Sequence, residues 1–226
     1  MHGDSKALAA YFRPMYTPSH FCVHDESQMQ ALIRRFPLGA LVCMTEQGLD
    51  ANHLPFELLE NTAANGGTQL IAHVARANPL WQQISNGDRV LVIFRAEDAY
   101  ISPNWYPSKQ QAHEQVPTWN YRVVHAHGRI TVRDDEKFVR GVVGRLTRTH
   151  EKRSHPDAMW KMSDAPDAYL QRMLEGIVGL EIDVTRLEGK FKLSQNKLQQ
   201  DRLGAMKALQ ESNPAMAQQM QPNESD

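Results

Sequence analysis

Tyr121-Arg122-Val123-Val124-His125-Ala126-His127-Gly128-Arg129-Ile130-Thr131-Val132-Arg133 alternates without a break. Successive side chains of a strand point to opposite faces, so Val123, His125, His127 and Arg129 share one face and Val124, Ala126, Gly128 and Ile130 the other. A strand this long, with one apolar face, is of the kind that closes a barrel. Shorter strands surround it. Alternation over 40–45, 52–59, 69–75 and 89–95 predicts four of them, divided by polar turns at 46–48 and 61–67 and a helical piece near 79–84. A late strand returns over 177–187, where Val178, Leu180, Ile182 and Val184 alternate.

Helical spacing marks the remainder. Asp25 and Ser27 suit the cap of a helix whose Met29, Leu32, Ile33 and Phe36 recur at i, i+3, i+4 and i+7, closed by Pro37 and Gly39. From Asp134 onward, Phe138, Val139, Val142, Val143 and Leu146 share a helical face. A second helix near 166–175 buries Tyr169, Leu170, Met173 and Leu174, and 196–210 forms an amphipathic C-terminal helix. The expected fold is mainly β with flanking helices (α+β), an antiparallel barrel in a single domain over 1–210. A polar flexible tail over 211–226 follows it.

The chain has 226 residues, 41% of them hydrophobic, enough for one good-sized core. Lys plus Arg number 25 against 26 Asp plus Glu, so the balance lacks the basic excess of a nucleic-acid-binding domain. Residues 1–14 carry no apolar signal segment and no run is long enough to span a bilayer, which predicts a soluble, cytoplasmic protein without a membrane partner. Cys22 and Cys43 form no C-x-x-C pair and are expected as reduced thiols.

Residues 100–121 concentrate rings, prolines and donors. Pro103, Pro107 and Pro117 stiffen the segment, Trp105, Tyr106, Trp119 and Tyr121 supply flat faces, and Ser108 and Lys109 supply donors suited to an anion. This inventory fits a flat phosphorylated ligand; it also fits a small hydrophobic core under a long connection. His125 and His127 on one strand face supply only half of a tetrahedral metal set, with no Cys nearby and no H-E-x-x-H, so no metal site is assigned.

Five ordered segments carry a family resemblance: 53–56 (HLPF), 72–79 (AHVARANP), 100–109 (YISPNWYPSK), 116–121 (VPTWNY) and 192–196 (KLSQN). Together they strongly resemble the PaiB family, over nearly the whole chain from Met15 to about Leu203. The resemblance implies an antiparallel split β-barrel of the FMN-binding type, a homodimer, and the role of negative transcriptional regulator. That role comes without any recognisable DNA-binding element.

By likeness to split-barrel flavoproteins such as the pyridoxine-phosphate oxidases, residues 73–79 lie where the flavin phosphate is held. Arg76 is the first anchor, since its guanidinium fork grips phosphate oxygens bidentately, with Asn78 and His73 as further donors. Strand 52–56 lies along the isoalloxazine edge. Pro55 there leaves a ladder position without a donor, which marks either an edge opened for a ligand or an ordinary edge strand. His53 joins the binding set by the family match alone. Trp105, Lys109, Trp119 and Lys192 complete it, with lysine at 192 where the related oxidases carry arginine. Haem is the second candidate cofactor, because some relatives of this architecture handle haem.

Arg145, Arg148, Lys152 and Arg153, with His150 and His155 among them, gather at the end of the helix begun by Asp134. The helix dipole alone accounts for cations there, and direct DNA contact has only this patch in its favour. No nucleophile elbow, Walker loop or G-x-G-x-x-G is present. The reading is an FMN-binding split-barrel dimer that regulates indirectly; the alternatives are an FMN-dependent oxidoreductase and a cofactor-free dimeric binding module.

Overall fold

A computed structural model describes residues 14–60, 62 and 66–221. Expectations that fall on 1–13, 61, 63–65 and 222–226 lie outside the described residues. Eight antiparallel strands form one sheet: β1 (Cys22–Val23), β2 (Leu38–Thr45), β3 (Gly48–Pro55), β4 (Glu57–Leu59), β5 (Gln69–Ala75), β6 (Arg89–Ile101), β7 (Thr118–Arg133) and β8 (Ile177–Lys192). Their order is β3-β2-β6-β7-β8-β5-β4, with β1 against β8. The two end strands, β3 and β4, are neighbours in sequence and are not joined by ladder hydrogen bonds, which makes the barrel split. The helices are α1 (Glu26–Arg35), α2 (Leu80–Gln83), α3 (Lys109–Ala112), α4 (Glu136–Ser154), α5 (Asp167–Glu175), α6 (Gln199–Ser212) and α7 (Pro214–Gln219). None is long and apolar enough to cross a membrane.

The chain divides into two compact units. The larger comprises the described residues of 25–96 and 123–187. Its core is the inward face of the alternating strands, with Leu41, Val92, Phe94, Val124, Ala126, Ile130, Leu180 and Ile182 all buried. In β7 the buried set is the even-numbered one, the face on which the sequence places Val124, Ala126 and Ile130. Asp25 caps α1 through the Ser27 N–H at 2.9 Å, and Met29, Leu32 and Ile33 face inward. Asp135 caps α4 through the Phe138 N–H at 2.9 Å. Gly179 of β8 lets that helix sit close, because a Cβ there would run into the Phe138 ring.

Among the described residues the smaller unit comprises 14–24, 97–122 and 188–221. Its core joins Ala99, Ile101, Tyr106 and Leu193 to Ala205, Leu209, Met216, Ala217 and Met220. The last three correct the expected flexible tail. Asn213 caps α7 by accepting from the Met216 N–H at 3.1 Å, and Met216 and Met220, one helical turn apart, are fully buried. The strands are also longer than expected: β6 continues through Tyr100 and Ile101, and β8 through Lys192.

Candidate functional site

In the larger unit the sheet opens beside Pro55. The β4–β5 ladder pairs Leu59 with Gln69, Leu58 with Leu70 and Glu57 with Ile71, and stops there. The same register carried further would set Pro55 opposite His73. Two local causes end it. Pro55 has no N–H, and the Phe56 N–H is taken by the Pro37 carbonyl at 2.9 Å while the Phe56 ring turns inward, edge-on to Phe94 with centroids 5.7 Å apart.

His73, which that register sets opposite Pro55, lies on the β5 face it shares with Ile71 and has an unmet need. Its backbone pairs with Gly179 on β8, yet the ring Nδ1 is buried and has no hydrogen-bond partner among the described residues. Burial pushes the imidazole pKa down, so at neutral pH the ring is uncharged, one nitrogen a donor and the other an acceptor. His53 is exposed and Pro55 half-buried on β3. Asn78 crosses from the end of β5 to β3, its Nδ2 donating to Asn52 Oδ1 at 2.7 Å while its Oδ1 accepts from the Leu80 N–H at 2.9 Å. Both ends of its amide are therefore engaged within the protein.

Arg76, expected as the first phosphate anchor, is engaged within the protein. Its fork does not stand open for a phosphate but grips Asp134, Nη1 to Oδ2 at 2.9 Å and Nη2 to Oδ1 at 2.5 Å. Nε donates to the Glu175 carbonyl at 2.7 Å and Nη2 also to that of Ile177 at 3.2 Å. Trp81 sits below, its Nε1 on the Arg76 carbonyl at 3.0 Å and its ring 5.7 Å from the guanidinium carbon. The physical reason is proximity: the fork emerges where three chain segments end, and a carboxylate with two free carbonyls satisfies it.

In the smaller unit, α6 pins the aromatic segment. Asp201, fully buried, accepts the Ser108 N–H at 3.0 Å and the Ser108 hydroxyl at 2.6 Å. Gly204 lies against the Trp105 carbonyl, with no room for a Cβ. Tyr106 is buried, Trp105 partly so, and Lys109 donates to Asn104 Oδ1 at 2.5 Å, so these residues build the segment itself. Trp119 is 53% exposed and meets Tyr100, 47% exposed, edge-to-face at 6.0 Å.

Lys192 stands in a recess of about 170 Å³ at the end of β8. Its Nζ donates to Thr118 Oγ1 and lies 6.0 Å from the Phe21 ring centre. Burial pushes its pKa down, repulsion from Lys190 and Lys197 adds to this, and Tyr121 opposes it. Asn120 and Ser194 lie within the motifs at 116–121 and 192–196 and Asp201 outside them; none of the three carries a site role in the sequence reading, although each is a buried polar group. His125 and His127 place their ring centres 6.4 Å apart on one face of β7.

Residues 15–186 match the family described as "Putative FMN-binding domain". The protease synthase and sporulation protein PAI 2 of Bacillus subtilis is 31% identical over 207 residues, 91% of this chain and 94% of its own. A conserved hypothetical protein of Mycobacterium tuberculosis shares the fold with a TM-score of 0.55 at 11% identity, over 81% of this chain and 94% of its own. The FAD and heme binding protein of Mycobacterium smegmatis does so at 0.52 and 15% identity, over 76% and 73%. At such identities the structural likeness is one of fold. The chain belongs to the PaiB-type family of FMN-binding split-barrel proteins.

Proposed function

We propose that the protein holds FMN at the opening where β3 parts from β5. The supporting observation is the buried Nδ1 of His73, on the strand beside that opening, which has no hydrogen-bond partner among the described residues. A buried ring nitrogen without a partner costs free energy unless something pairs with it, and the polar rim of a flat heterocycle can. The unladdered edge of β3 over 52–55, beside His53 and Pro55, offers backbone groups to the same rim. Bound FMN would supply hydride and electron transfer. The chain's own part is to orient the ring, to keep His73 neutral through burial, and to leave room at Pro55 where no ladder bond forms.

The regulatory role of the family is then proposed to run through the state of this ligand. The cations of α4 sit in its last turns, where the helix dipole favours them, and the chain carries no net basic charge. A homodimer is proposed as the working assembly, with the exposed Tyr100–Trp119 pair on its contact surface. Titration of the ligand-stripped protein with FMN tests the flavin reading directly.

A further inference from the structure

We infer that the recess around Lys192 and Lys197 is a binding site for the phosphate group of a small molecule. The polar groups lining it are the ammonium groups of Lys192 and Lys197, the hydroxyls of Thr118 and Ser194 and the amides of Asn120 and Asn196; among the described residues no carboxylate lines it. An ammonium carries three donors. One of those on Lys192 is used by Thr118, and its ring contact with Phe21 supplies no counter-charge. Lys197 donates to Gln115 Oε1 at 2.9 Å and lies 5.2 Å from the Tyr106 ring centre.

Lys192 is half-buried, with Lys190 and Lys197 near enough to repel its charge. The charged form of Lys192 is disfavoured by burial and by Lys190 and Lys197 together, with only Tyr121 acting the other way. An anion between the two lysines would reverse that balance, and lysine serves phosphate as a point charge without needing a fork. Phe21 and Pro117 provide an apolar wall for the atoms that carry the phosphate.

The recess is also held in shape. Ser194 is a buried, non-glycine residue at φ 66°, a conformation that persists only where surroundings enforce it. Asn120 Nδ2 donates to its Oγ at 2.9 Å, Gln195 Oε1 accepts the Leu193 N–H at 2.6 Å, and the Lys197 N–H donates to the Ser194 carbonyl at 3.0 Å. The Ser194 hydroxyl donates back to Asn120 Oδ1 at 3.2 Å, so these two groups hold each other and fix the loop between Lys192 and Lys197; ammonium groups ordered in this way before a ligand arrives bind it at lower entropic cost.

The inference does not rest on the flavin reading. Its test is calorimetric titration of the full chain with inorganic phosphate and pyrophosphate, for wild type, Lys192→Met, Lys192→Arg and Lys197→Gln, with circular dichroism to confirm the fold. Saturable binding is expected, weakened about tenfold or more in Lys192→Met and in Lys197→Gln but kept in Lys192→Arg. FMN and riboflavin are then compared in the same variants. If Lys192→Met weakens FMN but not riboflavin and pyrophosphate competes with FMN, the phosphate is the flavin's own. If pyrophosphate still binds the flavin-loaded protein, or binds a protein that takes no flavin, it belongs to a separate ligand. Absence of saturable phosphate and pyrophosphate binding by folded wild type, or equal binding by folded Lys192→Met, would overturn the inference.

Discussion

Arg76 and Asp134 meet through two parallel hydrogen bonds, 2.9 and 2.5 Å long, across 58 residues of chain. The pair ties the end of β5 to the turn that starts α4, and the two carbonyls on Arg76 add the start of β8. The arrangement makes Arg76 a clamp of the larger unit.

Replacing Arg76 by Ala should therefore lower the melting temperature and leave FMN affinity in the folded protein intact. Asp134→Asn should act alike, and the double variant should cost less than the sum of the two, because both remove one interaction. The hydrogen bond from Arg76 holds the Asp134 carboxyl below its ordinary value of 3.8. A depressed carboxylate contributes stability above its unfolded pKa and loses it as pH falls through the folded one. Melting curves at neutral pH and at successive steps below pH 3.8 should show the gap between wild type and Arg76→Ala closing on acidification. The pair is well exposed, so the effect at neutral pH is small.

Asp201→Ala should destabilise the smaller unit by about 3 kcal/mol, since it strands the buried N–H and hydroxyl of Ser108. Asp201→Asn keeps one acceptor and should cost less. Denaturant unfolding with an unchanged slope would measure both.

Gly204→Ala sets two effects against each other. Helix propensity favours alanine by about 1 kcal/mol, but the new Cβ would collide with the Trp105 carbonyl, and forced overpacking against a fixed group costs about 1–3 kcal/mol. The collision should win. A raised melting temperature would show that Trp105 is not held against α6.

Phosphate affinity should fall as pH rises, and the fall should begin below the ordinary lysine range, because burial, Lys190 and Lys197 lower the Lys192 pKa against the opposing effect of Tyr121. In Lys192→Arg the guanidinium stays charged, so the affinity over the same range should stay nearly flat.

The fold was largely legible because its strongest signals are local. Period-two burial in β7 and the i, i+3, i+4 spacing of Met29, Leu32 and Ile33 follow from chain geometry alone. The misses are tertiary. Tyr100 and Ile101 looked like part of a proline-stiffened loop but extend β6, and the polar-looking C-terminus is packed because Met216, Ala217 and Met220 meet a core drawn from distant segments. The sequence left open whether the edge beside Pro55 serves a ligand or is an ordinary edge strand, but the end of the ladder there was readable because a missing donor is a property of the residue. The engagement of Arg76 was not: Asp134 lies 58 positions away, as Asp201 lies 93 from Ser108 and Ser194 lies 74 from Asn120. No local pattern encodes such pairings.

The central claim is that His73 meets FMN where β3 and β5 part. Flavin fluorescence titration of ligand-stripped wild type and His73→Leu, alongside melting curves, tests it most directly. The account predicts saturable FMN binding by wild type, weakened about tenfold or more in His73→Leu, with a melting temperature in the ligand-free variant equal to or above wild type, since a buried unpaired nitrogen is removed. Undiminished FMN affinity in folded His73→Leu, or no saturable binding by wild type, would contradict it.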